Sequence, residues 1–122
     1  MSESIIGRKS FAFAIQVIRI YKSLVGEKRE YVMSKQFLRS GTAVGALVRE
    51  AQNAESKADF IHKLAIAQKE CDESIYWIEL LYHTQYMSQE AYGRIQLQGL
   101  ELLKMIRSAI ITTKQRHLSR KR

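Results

Sequence analysis

Apolar residues recur three to four positions apart in four segments of the chain, which is the spacing of amphipathic α-helices. Short polar or glycine-bearing stretches separate the segments, and no proline is present to break a helix. Short connections make consecutive helices antiparallel neighbours. The pattern therefore predicts an all-α fold, an antiparallel up-and-down four-helix bundle in which residues 1–122 form a single domain.

The first predicted helix, from about Lys9 to Val25, has two apolar stripes where one is usual. The stripes consist of Phe11, Ile15, Ile18 and Val25, and of Phe13, Val17, Ile20 and Leu24. Only a narrow strip around Gln16, Arg19 and Ser23 is polar, whereas a surface helix of a monomeric bundle keeps about half of its circumference wet. The excess of apolar positions predicts a subunit interface.

The second predicted helix, Tyr31 to Asn53 with Ser34 as its N-cap, has glycines in its interior. Each such glycine costs about 0.5–1 kcal/mol relative to alanine, so a compensating gain is expected. Gly41 and Gly45 lie four residues apart and share a face, which predicts close helix packing. A phosphate-binding loop is disfavoured because no strand precedes the glycines and the Lys-Ser/Thr ending is absent.

Serine caps predict where the last two helices start. The third begins after Ser56, with Asp59 in the capping-box position, and runs to about His83. The fourth begins at Ser88 and also has a broad apolar arc. Beyond it, the basic C-terminal tail of residues 114–122 has two open interpretations, a polyanion-binding element or a disordered solubilising end.

Charge is distributed unevenly along the chain, whose formal net charge is +8. Residues 56–84 have a net charge of −2, whereas the C-terminal tail has five basic side chains and no acidic one. More than half of the excess positive charge therefore lies in the last nine residues. A concentration of this kind favours polyanionic partners through counterion release.

The sequence predicts no catalytic residues, no metal site and no cofactor. Bundles that hold two metals use Glu-x-x-His pairs on two helices, and the nearest pair here is Glu79 and His83, without a matching set. The acidic residues of the third helix are interpreted as ordinary ion-pairing groups: Glu70, Asp72, Glu73 and Glu79. Cys71, the single cysteine, is expected to be a buried inert thiol in a reducing compartment.

Neither a secretory signal nor a membrane-spanning run is found, so a cytoplasmic location is expected. Five aromatic residues concentrate around the junction of the third and fourth helices: Tyr76, Trp77, Tyr82, Tyr86 and Tyr92. Packing at a core rim or subunit interface is the favoured use of such residues, and stacking on single-stranded bases is the alternative.

Several motifs together resemble a known bacterial family. They are Lys9-Ser10-Phe11-Ala12-Phe13-Ala14, Gln36-Phe37-Leu38-Arg39-Ser40-Gly41-Thr42-Ala43-Val44-Gly45-Ala46, Ser56-Lys57-Ala58-Asp59-Phe60-Ile61-His62-Lys63-Leu64, Lys69-Glu70 and Tyr76-Trp77-Ile78-Glu79-Leu80-Leu81. The chain is similar over nearly its whole length to the four-helix-bundle family named after proteins encoded in intervening sequences of 23S ribosomal RNA.

The resemblance implies an up-and-down bundle that assembles as a homopentamer, with a poorly understood function. Relatives include accessory proteins of diversity-generating retroelements, which are basic ring scaffolds for nucleic acid and a reverse transcriptase. The resemblance also makes Arg39 and Glu50 candidate ion-pair partners. One departure is Leu47, where the family pattern has an asparagine, so any role of that amide is in doubt here.

The function expected from these observations is a non-enzymatic homo-oligomeric scaffold for RNA or a ribonucleoprotein. The proposed phosphate contacts are Lys28, Arg29, Lys114, Arg116, Arg120, Lys121 and Arg122. The alternative is a protein–protein interaction scaffold that accepts an acidic or helical partner and has no nucleic-acid ligand. An enzyme such as a nuclease is disfavoured, because no set of carboxylates or histidines presents itself.

Overall fold

Four helices make up most of the computed structural model, which describes residues 4–121, with side chains described through residue 118. Each helix is close to the length that its apolar pattern predicts. The helices are α1 (Ile5–Gly26), α2 (Met33–Gln52), α3 (Lys57–His83) and α4 (Gln89–Lys121). The all-α prediction is confirmed.

The helices pack in chain order around one core. Among residues 4–121, α1 contacts α2, α2 contacts α3, α3 contacts α4, and α4 returns to α1, with no diagonal contact across the bundle. The α1–α4 contact is the weakest of the four. The largest fully buried side chains come from all four helices: Phe13, Val17, Leu24, Phe37, Val44, Val48, Leu64, Ile78, Leu81, Ile95, Leu102 and Ile106. This order is that of the predicted up-and-down bundle.

Helix α1 starts four residues before the predicted position, because Ser4 caps it. The N–H of Gly7 donates to the Ser4 hydroxyl oxygen at 3.0 Å. The side-chain amide of Gln52, at the end of α2, also donates to that hydroxyl. This second bond joins residues 48 positions apart and ties the start of α1 to the end of α2.

Only one of the two apolar stripes of α1 enters the core. Phe13, Val17 and Leu24 are buried, whereas Phe11 and Ile18 remain exposed. A helix at one corner of a four-helix bundle has neighbours on one side only, so a second stripe stays uncovered in a single chain.

The predicted N-cap of α2 is wrong. Ser34 lies inside the first turn, buried, and its hydroxyl donates to the backbone oxygen of Glu30 at 2.7 Å. The capping group is the Glu30 carboxylate, which accepts from the N–H groups of Val32, Met33 and Ser34 at 3.1, 3.1 and 2.7 Å. Burial raises the pKa of Glu30, but these amides and the Ser34 hydroxyl outweigh it, and the pKa is lowered.

The α1–α2 and α3–α4 connections each contain one residue with a left-handed backbone. Arg29 and Gln85 have left-handed backbones, with φ of 54° and 65°. The next residue in each connection closes the turn: Glu30 N–H donates to Leu24 O at 3.0 Å, and Tyr86 N–H donates to Leu81 O at 2.9 Å. Glycine usually occupies such positions, since a left-handed backbone costs other residues about 1–2 kcal/mol.

The predicted starts of α3 and α4 are confirmed. Asp59 N–H donates to the Ser56 hydroxyl at 3.0 Å, and Ala91 N–H donates to the Ser88 hydroxyl at 3.1 Å. Residues 114–121 of the C-terminal tail continue α4, which runs through Lys121. Its extension has a simple cause: no glycine or proline follows Gly99 in the sequence.

Candidate nucleic-acid interface

The up-and-down topology gives the bundle two chemically different ends. We call one the loop end, which consists of the α1–α2 and α3–α4 connections, residues 27–32 and 84–88. We call the other the tail end, which consists of the α2–α3 connection (residues 53–56), the starts of α1 and α3, and the last part of α4 from residue 113. Because α1 has 22 residues, the two ends are about 33 Å apart.

The sequence-predicted phosphate contacts are divided between these ends. Lys28 and Arg29 are exposed at the loop end, whereas Lys114 and Arg116 are exposed at the tail end. Arg120 and Lys121 belong to the helical backbone of α4, but their side chains lie outside the described residues. Arg122 lies outside the described residues entirely. One chain therefore presents two separated basic groups.

A depression of about 460 Å³ lies at the tail end, between the α2–α3 connection and α4. Arg116, Lys57 and Ser56 are among its lining residues, together with the acidic Glu55. Helices α1 and α3 begin at this end and α2 and α4 end there, so the partial charges of the helix termini offset one another. Lys57 is a cation that the sequence interpretation did not select, although antiparallel pairing of α3 with α4 brings the start of one to the end of the other.

A second depression, of about 490 Å³, lies at the loop end. Its lining includes Lys28, His83, Gln85 and the α4 cap Ser88. Tyr82 also lines it and stacks on Tyr92 with ring centroids 4.0 Å apart and planes 8° apart. That stack joins the end of α3 to the start of α4.

Two other aromatic side chains of the predicted group lie on α3. Trp77 Nε1 donates to Glu73 Oε2 at 3.1 Å and contacts the Tyr76 ring edge-on, with centroids 5.1 Å apart. Tyr76 is the more exposed of this pair. The structure thus ties Trp77 into a polar network and leaves Tyr76 facing solvent.

Gly41 and Gly45 lie where α2 crosses α1. A Cβ at Gly41 would be 2.7 Å from both methyl carbons of Val17, and a Cβ at Gly45 would be 3.3 Å from the backbone oxygen of Ser10. The two helices are so close at Gly41 that any side chain there would require Val17 to move. Leu47 is half-buried and packs against the core.

Arg39 joins α2 to α3 through two carboxylates. Its guanidinium donates to Glu70 at 3.2 Å and to Glu73 at 2.6 Å. These bonds raise the pKa of Arg39, while the Trp77 N–H, followed by Arg39, lowers the pKa of Glu73. Arg39, Glu70 and Glu73 therefore form an ion-pair network between α2 and α3, and the Trp77 indole donates to it.

Glu50 belongs to a separate ion pair. Its carboxylate accepts from Lys63 Nζ at 3.0 Å, and this bond raises the pKa of the lysine. Arg39 and Glu50 are thus both in ion pairs, but not with each other.

Cys71 is buried between α3 and α4, where its thiol donates to the backbone oxygen of Gly99 at 3.5 Å. Burial, reinforced by Asp72 and opposed by Arg107, raises its pKa to about 12, so the thiol stays protonated at neutral pH. Within residues 4–121, no three side chains of the His, Cys, Asp and Glu types are grouped to hold a metal ion.

Exposed apolar side chains occupy two further surfaces. Phe11 and Ile18 line a groove of about 710 Å³ between α1 and α2, and Leu97, Leu100 and Ile111 project from α4. No helix in the described part of the chain is apolar over enough residues to cross a bilayer.

Comparison with known proteins identifies relatives of the chain. The family model for the 23S rRNA-intervening sequence protein matches residues 2–108. A solved crystal structure, of a protein with unknown function from the S23 ribosomal protein family of Bacteroides thetaiotaomicron VPI-5482, is similar to this chain with a TM-score of 0.86 and 49% sequence identity. The match covers 87% of this chain and 98% of that one. No curated protein matches the chain.

Proposed function

Because the chain belongs to the 23S rRNA-intervening sequence protein family, we propose that it is a non-enzymatic, homo-oligomeric scaffold that binds RNA or a ribonucleoprotein through basic side chains. The observation that supports this most is the concentration of positive charge at the end of α4, where residues 114–122 contain five basic side chains and no acidic one. Phosphate contacts at such a segment bind RNA largely through counterion release.

Self-association would strengthen RNA binding. If subunits stand side by side with their helices parallel, every tail end lies on the same rim of the assembly. Weak phosphate contacts from each subunit then act on one RNA, and the second contact is made at high effective concentration. A pentamer is the state that the family resemblance favours.

Binding of a labelled, structured RNA over a salt series tests the electrostatic mechanism. The intact protein is compared by fluorescence anisotropy with a full-length variant in which Lys114, Arg116, Arg120, Lys121 and Arg122 are changed to glutamine. We expect the wild-type affinity to fall steeply as salt rises, and the variant to bind weakly with a smaller slope, because each lost phosphate contact removes about 0.7 from the logarithmic slope for single-stranded regions. An affinity that does not change with salt would contradict the proposal.

The second candidate function is a protein–protein scaffold, which the apolar groove between α1 and α2 favours. Affinity capture with and without nuclease treatment separates the two functions. Protein partners that remain after nuclease treatment support this candidate, whereas partners that are released support RNA as the bridge.

A further inference from the structure

The depression at the loop end combines an aromatic ring with side chains that donate hydrogen bonds. Its volume of about 490 Å³ is within the range of small-ligand pockets. The lining consists of Lys28, Tyr82, His83, Gln85, Met87 and Ser88. None of the described residues that line it is acidic, whereas the depression at the tail end includes Glu55. The loop-end depression therefore favours an anionic ligand.

The aromatic ring in this lining is held in place by two neighbours. Tyr92 stacks on Tyr82 with ring centroids 4.0 Å apart, and the His83 ring contacts Tyr82 edge-on at 5.1 Å and 64°. Because the Tyr82 ring is already ordered, a ligand that stacks on it does not have to immobilise it. A fixed tyrosine ring is a platform on which a nucleic-acid base can stack.

The polar side chains of the depression match the other parts of a nucleotide. Lys28 and His83 are both exposed, and each donates N–H groups, the lysine with a full positive charge. The side-chain nitrogen of Gln85 donates to the backbone oxygen of His83 at 3.3 Å, and its amide oxygen adds an acceptor to the lining. A phosphate accepts from the first two residues, and a base amino group donates to the third.

Three carboxylates of the same end of the bundle are already engaged within the chain. Glu27 accepts from a serine hydroxyl, Glu30 caps α2, and Glu90 forms an ion pair on α4. Glu79 precedes His83 by one helical turn and is outside the lining. Lys28 therefore keeps its charge for a ligand.

We propose that the loop-end depression binds one unpaired nucleotide of RNA. Its base stacks on the face of Tyr82 opposite Tyr92, and its phosphate accepts from Lys28 and His83. A base inside a duplex has both faces covered by its neighbours, so the loop end selects single-stranded RNA. The inference rests on the RNA binding in the proposed function and adds a second site, which contacts a base where the basic tail contacts only phosphates.

Two variants test this site by fluorescence anisotropy with labelled hexaadenylate and with a blunt RNA duplex, each over a salt series. Tyr82→Leu should weaken hexaadenylate binding about tenfold with an unchanged salt slope, because it removes stacking and no charge. Lys28→Gln should lower the logarithmic slope by about 0.7, because it removes one phosphate contact. Duplex binding by Tyr82→Leu should equal that of the wild type.

Two control variants separate stacking from a general loss of structure. Tyr82→Phe keeps the ring and should bind hexaadenylate as the wild type does. Tyr76→Leu removes a tyrosine that is 56% exposed on α3, outside the depression, and should change nothing. If circular dichroism shows that Tyr82→Leu is unfolded, His83→Ala replaces it, since that side chain is exposed and its loss should weaken hexaadenylate binding about threefold to tenfold.

Wild-type affinity of Tyr82→Leu for hexaadenylate would overturn the inference. Steep, salt-dependent binding of the duplex by the same variant would then leave the proposed function standing, whereas a wild-type protein that binds neither RNA would contradict both. Competition with unlabelled AMP identifies the source of the nucleotide. AMP that displaces hexaadenylate only at about 100-fold higher concentration supports an RNA strand, which makes further contacts, and AMP that is equally effective would overturn the assignment to RNA.

Discussion

A single carboxylate outside α2 determines where that helix begins. Glu30 precedes the helix, yet it accepts the three N–H groups that α2 would otherwise leave unpaired at its start. A sequence search for caps expects a short side chain directly before the helix, and Ser34 satisfied that expectation by residue type alone. The longer side chain of Glu30 reaches forward from the connection to these N–H groups, which only the path of the backbone reveals.

Glu30→Gln should destabilise the protein by about 1–2 kcal/mol at neutral pH, because the amide accepts with one uncharged oxygen where the carboxylate uses two. The lowered pKa of Glu30 in the folded state sets the pH dependence. Its contribution is full above the pKa of a glutamate in the unfolded chain and is lost as pH falls through the lower folded pKa. Urea unfolding at several pH values measures the difference, which should disappear in acid.

The control for this variant is Glu27→Gln, in the same connection. Glu27 is exposed, and its carboxylate accepts only from the Ser23 hydroxyl, at 3.4 Å. A change below about 0.5 kcal/mol is expected. Equal losses from the two variants would contradict a specific capping role for Glu30.

Gly41 and Gly93 form a matched pair of helical glycines with opposite expectations. A methyl group at Gly41 would be 2.7 Å from the Val17 methyl carbons, whereas nothing lies within 4 Å of a Cβ at Gly93. Gly41→Ala should therefore cost about 1–3 kcal/mol through overpacking, and Gly93→Ala should gain about 0.5–1 kcal/mol. Denaturant unfolding measures both.

Adding Val17→Ala to the Gly41→Ala variant checks the cause. The smaller side chain removes the two methyl carbons that the new methyl would meet at 2.7 Å, so part of the loss should be recovered. A double variant no more stable than the sum of its single changes would show that the packing at this crossing is not the origin of the effect.

Between elements, the Arg39 network shows how ion pairs orient two helices. Arg39 on α2 bonds to Glu70 and Glu73 on α3, and Trp77 holds Glu73 in place from the next turn. The side chains are partly exposed, so the stabilisation is that of a surface network and not of a buried pair. The geometry of the network fixes the register of α2 against α3, and this matters more than its contribution to stability.

Arg39→Met should reduce stability by about 1 kcal/mol at neutral pH and low salt. The Glu73 pKa is lowered in the folded state, so its stabilisation is present above the unfolded pKa of a glutamate and is lost as pH falls through the folded pKa. The gap between wild type and variant should therefore narrow in acid and in high salt, as thermal unfolding can measure. Lys63→Met, which removes a single exposed pair, should have a smaller effect. A gap that is constant with pH would contradict the role of Glu73.

The starts of α3 and α4 could be predicted from the sequence, because a serine cap and an acidic first turn are local signals. The start of α1 was predicted four residues too late, although its Ser4 cap and the Gly7 amide are only three residues apart in sequence. The hydrophobic stripes of α1 begin at Phe11 and do not reach back to this cap. The end of α4 required weighing charge, which favours disorder, against the absence of any helix-breaking residue after Gly99.

At the scale of the whole molecule, folding separates charges that a linear count adds together. Lys28 and Arg29 are near the middle of the bundle's first hairpin in sequence, and the topology sends them to the end opposite Lys114 and Arg116. The sequence could predict the double apolar stripe of α1, and Phe11 and Ile18 are indeed uncovered in one chain. The assignment of the basic residues to two ends follows from the direction of each helix, which the predicted up-and-down order already contains.

This separation makes a quantitative prediction about RNA binding. Lys28→Gln with Arg29→Gln and Lys114→Gln with Arg116→Gln each remove two positive charges, one pair from each end. If one RNA contacts only the tail end, the tail-end pair should weaken binding and lower the logarithmic salt slope by about 1.4, while the loop-end pair changes neither. If one RNA reaches across the roughly 33 Å between the ends, both pairs should weaken binding, and their free energies should add in the fourfold variant because the sites share no partner. Anisotropy titrations over a salt series distinguish these cases, and an unchanged affinity in the fourfold variant would exclude both described basic groups as phosphate contacts.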